Sequence, residues 1–517
     1  MKNIQTTPLQ SVSAFNILIL LLFSSFCMIA VFIWEGHIGI NLSDEAFLWY
    51  GAAAINHGEV PIRDYYAYDP GRYYFTALVM QLVGNNGIIA SRIAEALVQE
   101  LGLFLALFLL IRMMKFHKAI HFVYILFATV TLLLWMIPLY KSFDVTASII
   151  LITLLTYLIE TNTLRAVFWT GVGVGLVAIL GRNHGLYGAV ASTSVIVYLS
   201  LTEHQYSIIA ALKYYLVGVL IGYIPLILML VFIPGFKHAF FKGIYDLILS
   251  KSTNLYLPIL WPWQASTLQG FICGIFFIGI LLFAIYSLGM TLVKSKNKSI
   301  AATVAACAFL SLPYAQYIFS RADVIHLAIG IFPFLIGVYA YFYQVFSKSS
   351  IILLFSIITL LILSIFVVLP LHPGAQSYND KRWEYIEISG AQLKVDPDAV
   401  NKINMFKRLI NQYAANGQPF LVVPFNFAMY SIFGRSSPMW DFYSLFPRSL
   451  NDQADDIARI KKANPRFVVI YDEALDGVEE RQFHNTHPFI FKYIRDNFEL
   501  VHDRSETQDI YIYKGKN

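Results

Sequence analysis

The sequence predicts a polytopic α-helical membrane protein of about eleven spans with a small C-terminal α/β domain, on three observations. Of 517 residues, 57% are hydrophobic and only 13% charged, well below the roughly 25% charge of soluble domains. Apolar runs long enough to cross a hydrocarbon core of roughly 30 Å recur up to residue 371. After it, charge returns to ordinary levels and short apolar runs alternate with amphipathic ones. The net charge of +5 comes without a dense Lys/Arg block, which argues against a nucleic-acid partner.

The first span, residues 15–34, continues into Trp34, Glu35, Gly36 and His37 without a small-residue cleavage site, and reads as an uncleaved anchor. Further spans are expected at 88–111, 122–139, 144–159, 166–181, 185–201, 214–233, 267–291, 300–319, 327–346 and 351–371. The short basic connections 112–118 and 294–299 fall on the side of the N-terminus, so the positive-inside rule makes that side cytoplasmic. The loop after the first span and everything beyond 371 are then extracytoplasmic, on the periplasmic face of a cell inner (plasma) membrane. The glycines of GVGVG, residues 171–175, suit close helix packing. Cys27, Cys273 and Cys307 lie in apolar runs, as core fillers do.

Two domains are expected. Residues 1–371 form the membrane domain, including a first external loop at 35–87, and 372–517 form the external one. In the latter, NKINMFKRLINQYA and DQADDIARIKKANP read as amphipathic helices, QPFLVVPF and RFVVIYDE as strands. HPFIFKYIRDNFELVHD reads as helix then strand, and DIYIYKG as a closing strand.

The first loop holds two stretches of helical spacing, SDEAFLWYGAAAINHG and GRYYFTALVMQLVG, expected to lie at the membrane interface. Ser43 is placed to cap the first, with Asp44 and Glu45 in its opening turn. Acids there answer to the helix dipole alone, so spacing by itself favours a structural role over a chemical one. Between the helices, Arg63, Asp64, Tyr65, Tyr68, Asp69 and Arg72 lie among prolines that stiffen their turns. They are candidates to bind a ligand with an anionic head and sugar-like hydroxyls, or else a water-facing belt of aromatic and charged groups. Arg92 and Glu95 stand one turn apart, as a structural pair would. External turns further on carry Lys141, Arg182 with His184, and Arg321 with Asp323 and His326. Singly, such residues snorkel to head groups; together they put one sign of charge on one face. Tyr256 and Trp261, among prolines, suit an interfacial lid or a plain membrane anchor.

An Asp-Glu pair opening a juxtamembrane helix, then P-x-R-D-Y-Y-x-Y-x-P-G-R-Y-Y, then a second interfacial helix before LVGNNGIIASRIAEAL resembles the bacterial GT-C glycosyltransferases, which include protein mannosyltransferases and aminoarabinose transferases. The likeness is most specific over residues 41–100. It implies a sugar donor linked to polyprenyl phosphate, an inverting transfer, and a first-loop acid as catalytic base. That role falls on Asp44, with Glu45 beside it. A departing lipid phosphate needs fixed cations, and Arg72, Lys141, Arg182, Arg321 and His326 are the candidates. Arg63, Asp64, Tyr65, Tyr68, Asp69, His184, Tyr256 and Trp261 are candidates to bind the rest of the substrates. Partners would be the lipid-linked donor, membrane lipids, and a lipid, glycan or protein acceptor. No acid cluster at ligand spacing backs a divalent cation, so no metal or other cofactor is expected. The competing functions are a lipid-linked glycan polymerase or ligase, and a transporter or flippase, which would show charges or broken helices near mid-span.

Overall fold

A computed structural model describes residues 13–114, 119–250, 255–293, 301–501 and 510–516. Residues 115–118 and 294–299, the core of the orientation signal, lie outside the described residues. The chain forms two compact units. One holds residues up to Ile33, Glu95–Pro234 and Ile244–Gln376; the other holds Trp34–Ala94, Gly235–Gly243 and the residues from Ser377 on.

In the first unit and the helix leading into it, seven helices among the described residues are long and apolar enough to cross a membrane: Ala14–Glu35, Ile88–Arg112, Leu139–Thr161, Arg182–Glu203, Leu268–Leu292, Ala302–Ser320 and Ser350–Leu371. Ile208–Gly222 with Ile224–Phe232, and Val324–Gly330 with Phe332–Phe346, each qualify as one span bent by 56° and 57°. Both bends immediately precede a proline, Pro225 and Pro333, at the start of the second helix. A proline ring clashes with the turn before it and breaks its hydrogen bond, which accounts for the kinks. Ala119–Trp135 and Leu164–Leu180, 17 residues each, sit at the short end of the spanning range. Every span expected from the sequence coincides with one of these helices or bent pairs.

Several helices turn apolar surface outward. Phe15, Phe26 and Ile33 are 70, 70 and 78% exposed, and such a surface is stable only in hydrocarbon. The protein is a multi-pass membrane protein. Inside, several buried polar groups pair with one another, which lowers the cost of holding them in hydrocarbon. The Trp135 indole donates to Ser364 Oγ at 2.8 Å, Ser24 and Ser25 both donate to Glu100, and Arg112 pairs with Glu160 at 3.0 Å. The glycine run acts as expected. A Cβ on Gly171 or Gly175 would strike the backbone of helix Ile208–Gly222 at Tyr215 and Val219, while one on Gly173 would strike Leu154. Gly218 and Gly222 return the contact onto Phe168 and Val172, so two backbones touch along a seam that admits no side chain.

The second unit joins the segment after the first helix to the C-terminal domain. Four strands, β3 (Leu421–Val423), β4 (Phe467–Tyr471), β5 (Phe498–Val501) and β6 (Ile510–Gly515), form a sheet of order β3-β4-β6-β5, after a hairpin of β1 (Glu384–Ile388) and β2 (Ala391–Val395). β3 and β4 are parallel and the other pairings antiparallel. Helix Leu450–Ala463 lies between β3 and β4 in the chain, and Pro397–Tyr413 precedes β3. Each expected helix and strand of this domain is present. The β1–β2 hairpin is an addition: Ser389 and Gly390 turn it with φ of 50° and 80°, the left-handed pair a two-residue hairpin loop needs.

The loop is stitched to this domain by its own backbone. Lys394 in β2 exchanges hydrogen bonds with His37 and Gly39 at 2.9 and 2.8 Å. Leu42 O accepts from Ala428 N at 2.9 Å, and Ser43 Oγ accepts from Asn426 N at 3.0 Å. Residues 34–94 thus share a compact unit with those beyond 376.

Candidate functional site

Helix Asp44–Asn56 begins with Asp44 half-buried and Glu45 buried. Its cap is not the expected Ser43, whose hydroxyl serves Asn426. Asn41 takes that role: its Oδ1 accepts from Ser43 N at 3.0 Å and Asp44 N at 2.7 Å. The adjacent acids are used differently. Glu45 Oε1 accepts from Arg92 Nε at 2.6 Å, and Oε2 accepts from Arg92 Nη2 at 3.1 Å and Asn41 N at 3.0 Å. Arg92 also donates to the carbonyls of Gly36 and Gly39 at 2.8 and 2.7 Å. With both oxygens engaged in the core, Glu45 braces the loop, a role the spacing of two acids does not reveal. Arg92 thus reaches back from its own helix to this carboxylate.

Asp44 keeps more freedom. Tyr443 donates its hydroxyl to Oδ1 at 2.6 Å; among the described residues no other donor reaches this carboxylate. Phe47, one turn further on, packs against Tyr443, Phe442, Phe427, Tyr66, Tyr68 and Tyr73, with centroids 4.6–6.2 Å apart. That aromatic block fixes the helix under Asp44.

Of the loop residues, Arg63 and Asp64 form a bidentate pair at 2.8 and 2.7 Å, and Val60 N donates to Asp64 at 2.7 Å. Burial pushes the Asp64 carboxyl up, but the Arg63 fork and the Val60 N–H hold it below its ordinary value. Tyr65 is 2% exposed and donates to Gly51 O at 2.7 Å. These three residues brace the loop, because short pairs within the loop satisfy them first. Tyr68 N donates to Tyr73 Oη at 3.1 Å, and the buried Arg72 guanidinium lies 5.4 Å from the Tyr68 ring. Asp69, also buried, immediately precedes helix Pro70–Val83, which carries Arg72.

The segment carrying Tyr443 is held by buried charge. Arg448 pairs with Asp441 and lies over Tyr66 and Trp440 at 5.0 and 5.3 Å. Trp440 Nε1 donates to Ile62 O at 3.0 Å, and Tyr66 N to Trp440 O at 2.8 Å. Asp456 accepts from Trp440 N at 2.6 Å and Asp441 N at 3.3 Å. Burial, with the Asp441 charge adding to it, pushes the Asp456 carboxyl up to about 6, against those N–H donors and Arg459; Arg448 and His487 face Asp441 beside it. A carboxyl raised on folding stabilises fully below its unfolded value near 3.8 and loses that contribution as pH rises through about 6. The expected outcome is a wild-type melting temperature that drops between pH 4 and pH 7 by more than that of Asp456→Asn, the difference corresponding to about 2 kcal/mol. Equal slopes in thermal melts of the two proteins would contradict it.

In the membrane unit, three distant turns converge. His184 Nε2 contacts Asp144 Oδ1 at 2.9 Å and Nδ1 contacts Tyr314 Oη at 2.7 Å. Tyr317 lies 6.1 Å from the His184 ring and 5.7 Å from that of His326. His326 Nδ1 contacts Asp323 at 2.9 Å, and Arg321 Nε donates to Asp323 at 3.0 Å. Asp323 caps helix Val324–Gly330 by accepting from His326 N. Arg321 Nη1 also donates to Leu255 O at 2.9 Å, and Ala322 N to Leu257 O at 3.3 Å, which ties down the strand of chain bearing Tyr256 and Trp261. Trp261 stacks on Trp263 at 5.5 Å, and Tyr256 is 63% exposed. Tyr317 thus lies between His184 and His326, and Arg321 joins Asp323 to the chain beside Tyr256. Lys141 lies over the neighbouring Tyr140 ring, and Arg182 opens helix Arg182–Glu203. Sequence reasoning missed Tyr443 and Tyr317, which carry no local signal. Among the described residues, no group of three or more His, Cys, Asp or Glu could hold a metal ion.

No protein-family model and no curated protein matches the sequence. Among solved structures, ArnT from Cupriavidus metallidurans bound to undecaprenyl phosphate is similar at a TM-score of 0.56 and 11% identity, covering 97% of this chain and 98% of that one. Its apo form gives 0.54 and 9% over the same shares. The Archaeoglobus fulgidus oligosaccharyltransferase in the apo form gives 0.46 and 12%, covering 98% of this chain and 75% of that one. Over nearly the full length of both chains, the fold is that of ArnT.

Proposed function

We propose that the protein is an inverting glycosyltransferase that moves a sugar from a polyprenyl-phosphate carrier to a hydroxyl of a lipid, glycan or protein acceptor. The reaction takes place on the extracytoplasmic face of the plasma membrane, with the N-terminus cytoplasmic. The observation that carries this reading is the Asp44 carboxylate: half-buried, held at one oxygen by Tyr443 and uncommitted at the other. Such a group can accept a proton. Asp44 takes the acceptor hydroxyl proton, the oxygen bonds to the anomeric carbon from the face opposite the phosphate, and the carbon–oxygen bond to the phosphate breaks. The polyprenyl phosphate leaves as an anion, for which Arg72, Lys141, Arg182, Arg321 and His326 are the candidate cations. His184, Tyr68, Asp69, Tyr256 and Trp261 remain candidates to contact sugar, acceptor or lipid. The fold shared with ArnT, solved with undecaprenyl phosphate, supports a lipid-phosphate donor.

The two bent spans favour a transporter as the second reading, since broken helices mark substrate sites in that class; prolines account for both breaks. Mass spectrometry of envelope lipids and glycans from cells with and without the protein tests the choice. A species heavier by one sugar residue, present only with the protein, is expected; identical profiles would remove the transferase reading.

A further inference from the structure

Resting on the reading of Asp44 as the base, we infer that Tyr443, from the external domain, is a positioning residue for the reaction. Three observations carry this. Its hydroxyl is the one donor to the Asp44 carboxylate among the described residues, at 2.6 Å. Its ring is clamped between Phe47 and Phe427 at 5.4 and 4.9 Å, and Phe47 stands on the face of the helix that Asp44 opens. The segment bearing it is tied to the first loop at Tyr50, Ile62 and Tyr66, and anchored in its own domain by Asp456 and by the Arg448–Asp441 pair.

The consequence is chemical. A hydroxyl donating to Oδ1 fixes the carboxylate plane and leaves Oδ2 as the proton acceptor, so the base meets the acceptor in one orientation. The charge of Glu45 is matched by Arg92, so the Asp44 carboxylate depends on Tyr443 for its hydrogen bonding. The external domain is on this account part of the catalytic machinery as well as a cover or an acceptor-binding surface.

The test is steady-state transfer by the purified full chain in lipid, with a synthetic short-chain polyprenyl-phosphate sugar as donor and an extract of envelope acceptors. For Tyr443→Phe, kcat falls about ten- to a hundredfold with the KM for donor unchanged. Tyr443→3-fluorotyrosine keeps the shape and changes the strength of the donor, so kcat shifts again with the KM for donor unchanged; it carries the test should the Phe variant fold poorly. Wild-type kcat in both variants, with Asp44→Asn inactive, would overturn the role of Tyr443 and leave the base assignment standing. Wild-type activity in Asp44→Asn would instead overturn the base assignment itself.

Discussion

Arg92→Leu is expected to destabilise the unit that holds the first loop by about 3–5 kcal/mol. The guanidinium is 4% exposed and reaches Glu45 and the carbonyls of Gly36 and Gly39. Its removal strands a buried carboxylate and two buried carbonyls, and each is costly without a donor. The pair itself is a poor source of net stability, because taking both charges out of water offsets most of their attraction. Replacing both partners, as Arg92→Leu with Glu45→Leu, is therefore expected to recover part of the loss. Thermal melting in detergent checks the three proteins. A single variant that melts with the wild type would show that the Arg92–Glu45 pair does not hold the loop.

Asp44→Asn is expected to lower transfer by about 10²- to 10⁴-fold, the usual contribution of a general base, with donor binding intact. The amide keeps the shape and can still accept from Tyr443, so the melting temperature should stay within a few degrees of wild type. Glu45→Gln should lose stability first, and activity in proportion to the unfolded fraction. The two acids thus give opposite signatures, activity without stability at 44 and stability first at 45. Rates measured beside melting curves separate them.

The membrane spans were legible because apolar length is written in consecutive residues, and Gly171 and Gly175 declared a backbone contact by their spacing. The external strands were legible for the same local reason. The β1–β2 hairpin escaped because β1 is largely exposed, and only the Ser389-Gly390 turn announces it. Contacts between distant residues left no trace in any window: Ile38 meets Lys394 and Asp44 meets Tyr443 across hundreds of positions. Spacing made Asp44 and Glu45 look like one feature, but a helix start turns adjacent side chains about 100° apart, one toward Tyr443 and one toward Arg92. Arg63 and Asp64 looked like ligand-binding groups for a similar reason, since composition cannot tell a charge that waits for a ligand from one satisfied by its neighbour.

The central claim is that Asp44 accepts the proton as a sugar leaves a lipid phosphate. The direct measurement uses proteoliposomes carrying wild type or Asp44→Asn, offered a polyprenyl-phosphate donor labelled in the sugar and an envelope acceptor extract. The account predicts that wild type releases one polyprenyl phosphate for each new glycosidic bond, while Asp44→Asn binds the donor and forms none. A wild-type rate of bond formation in Asp44→Asn, or labelled sugar crossing the bilayer with no bond formed, would contradict it.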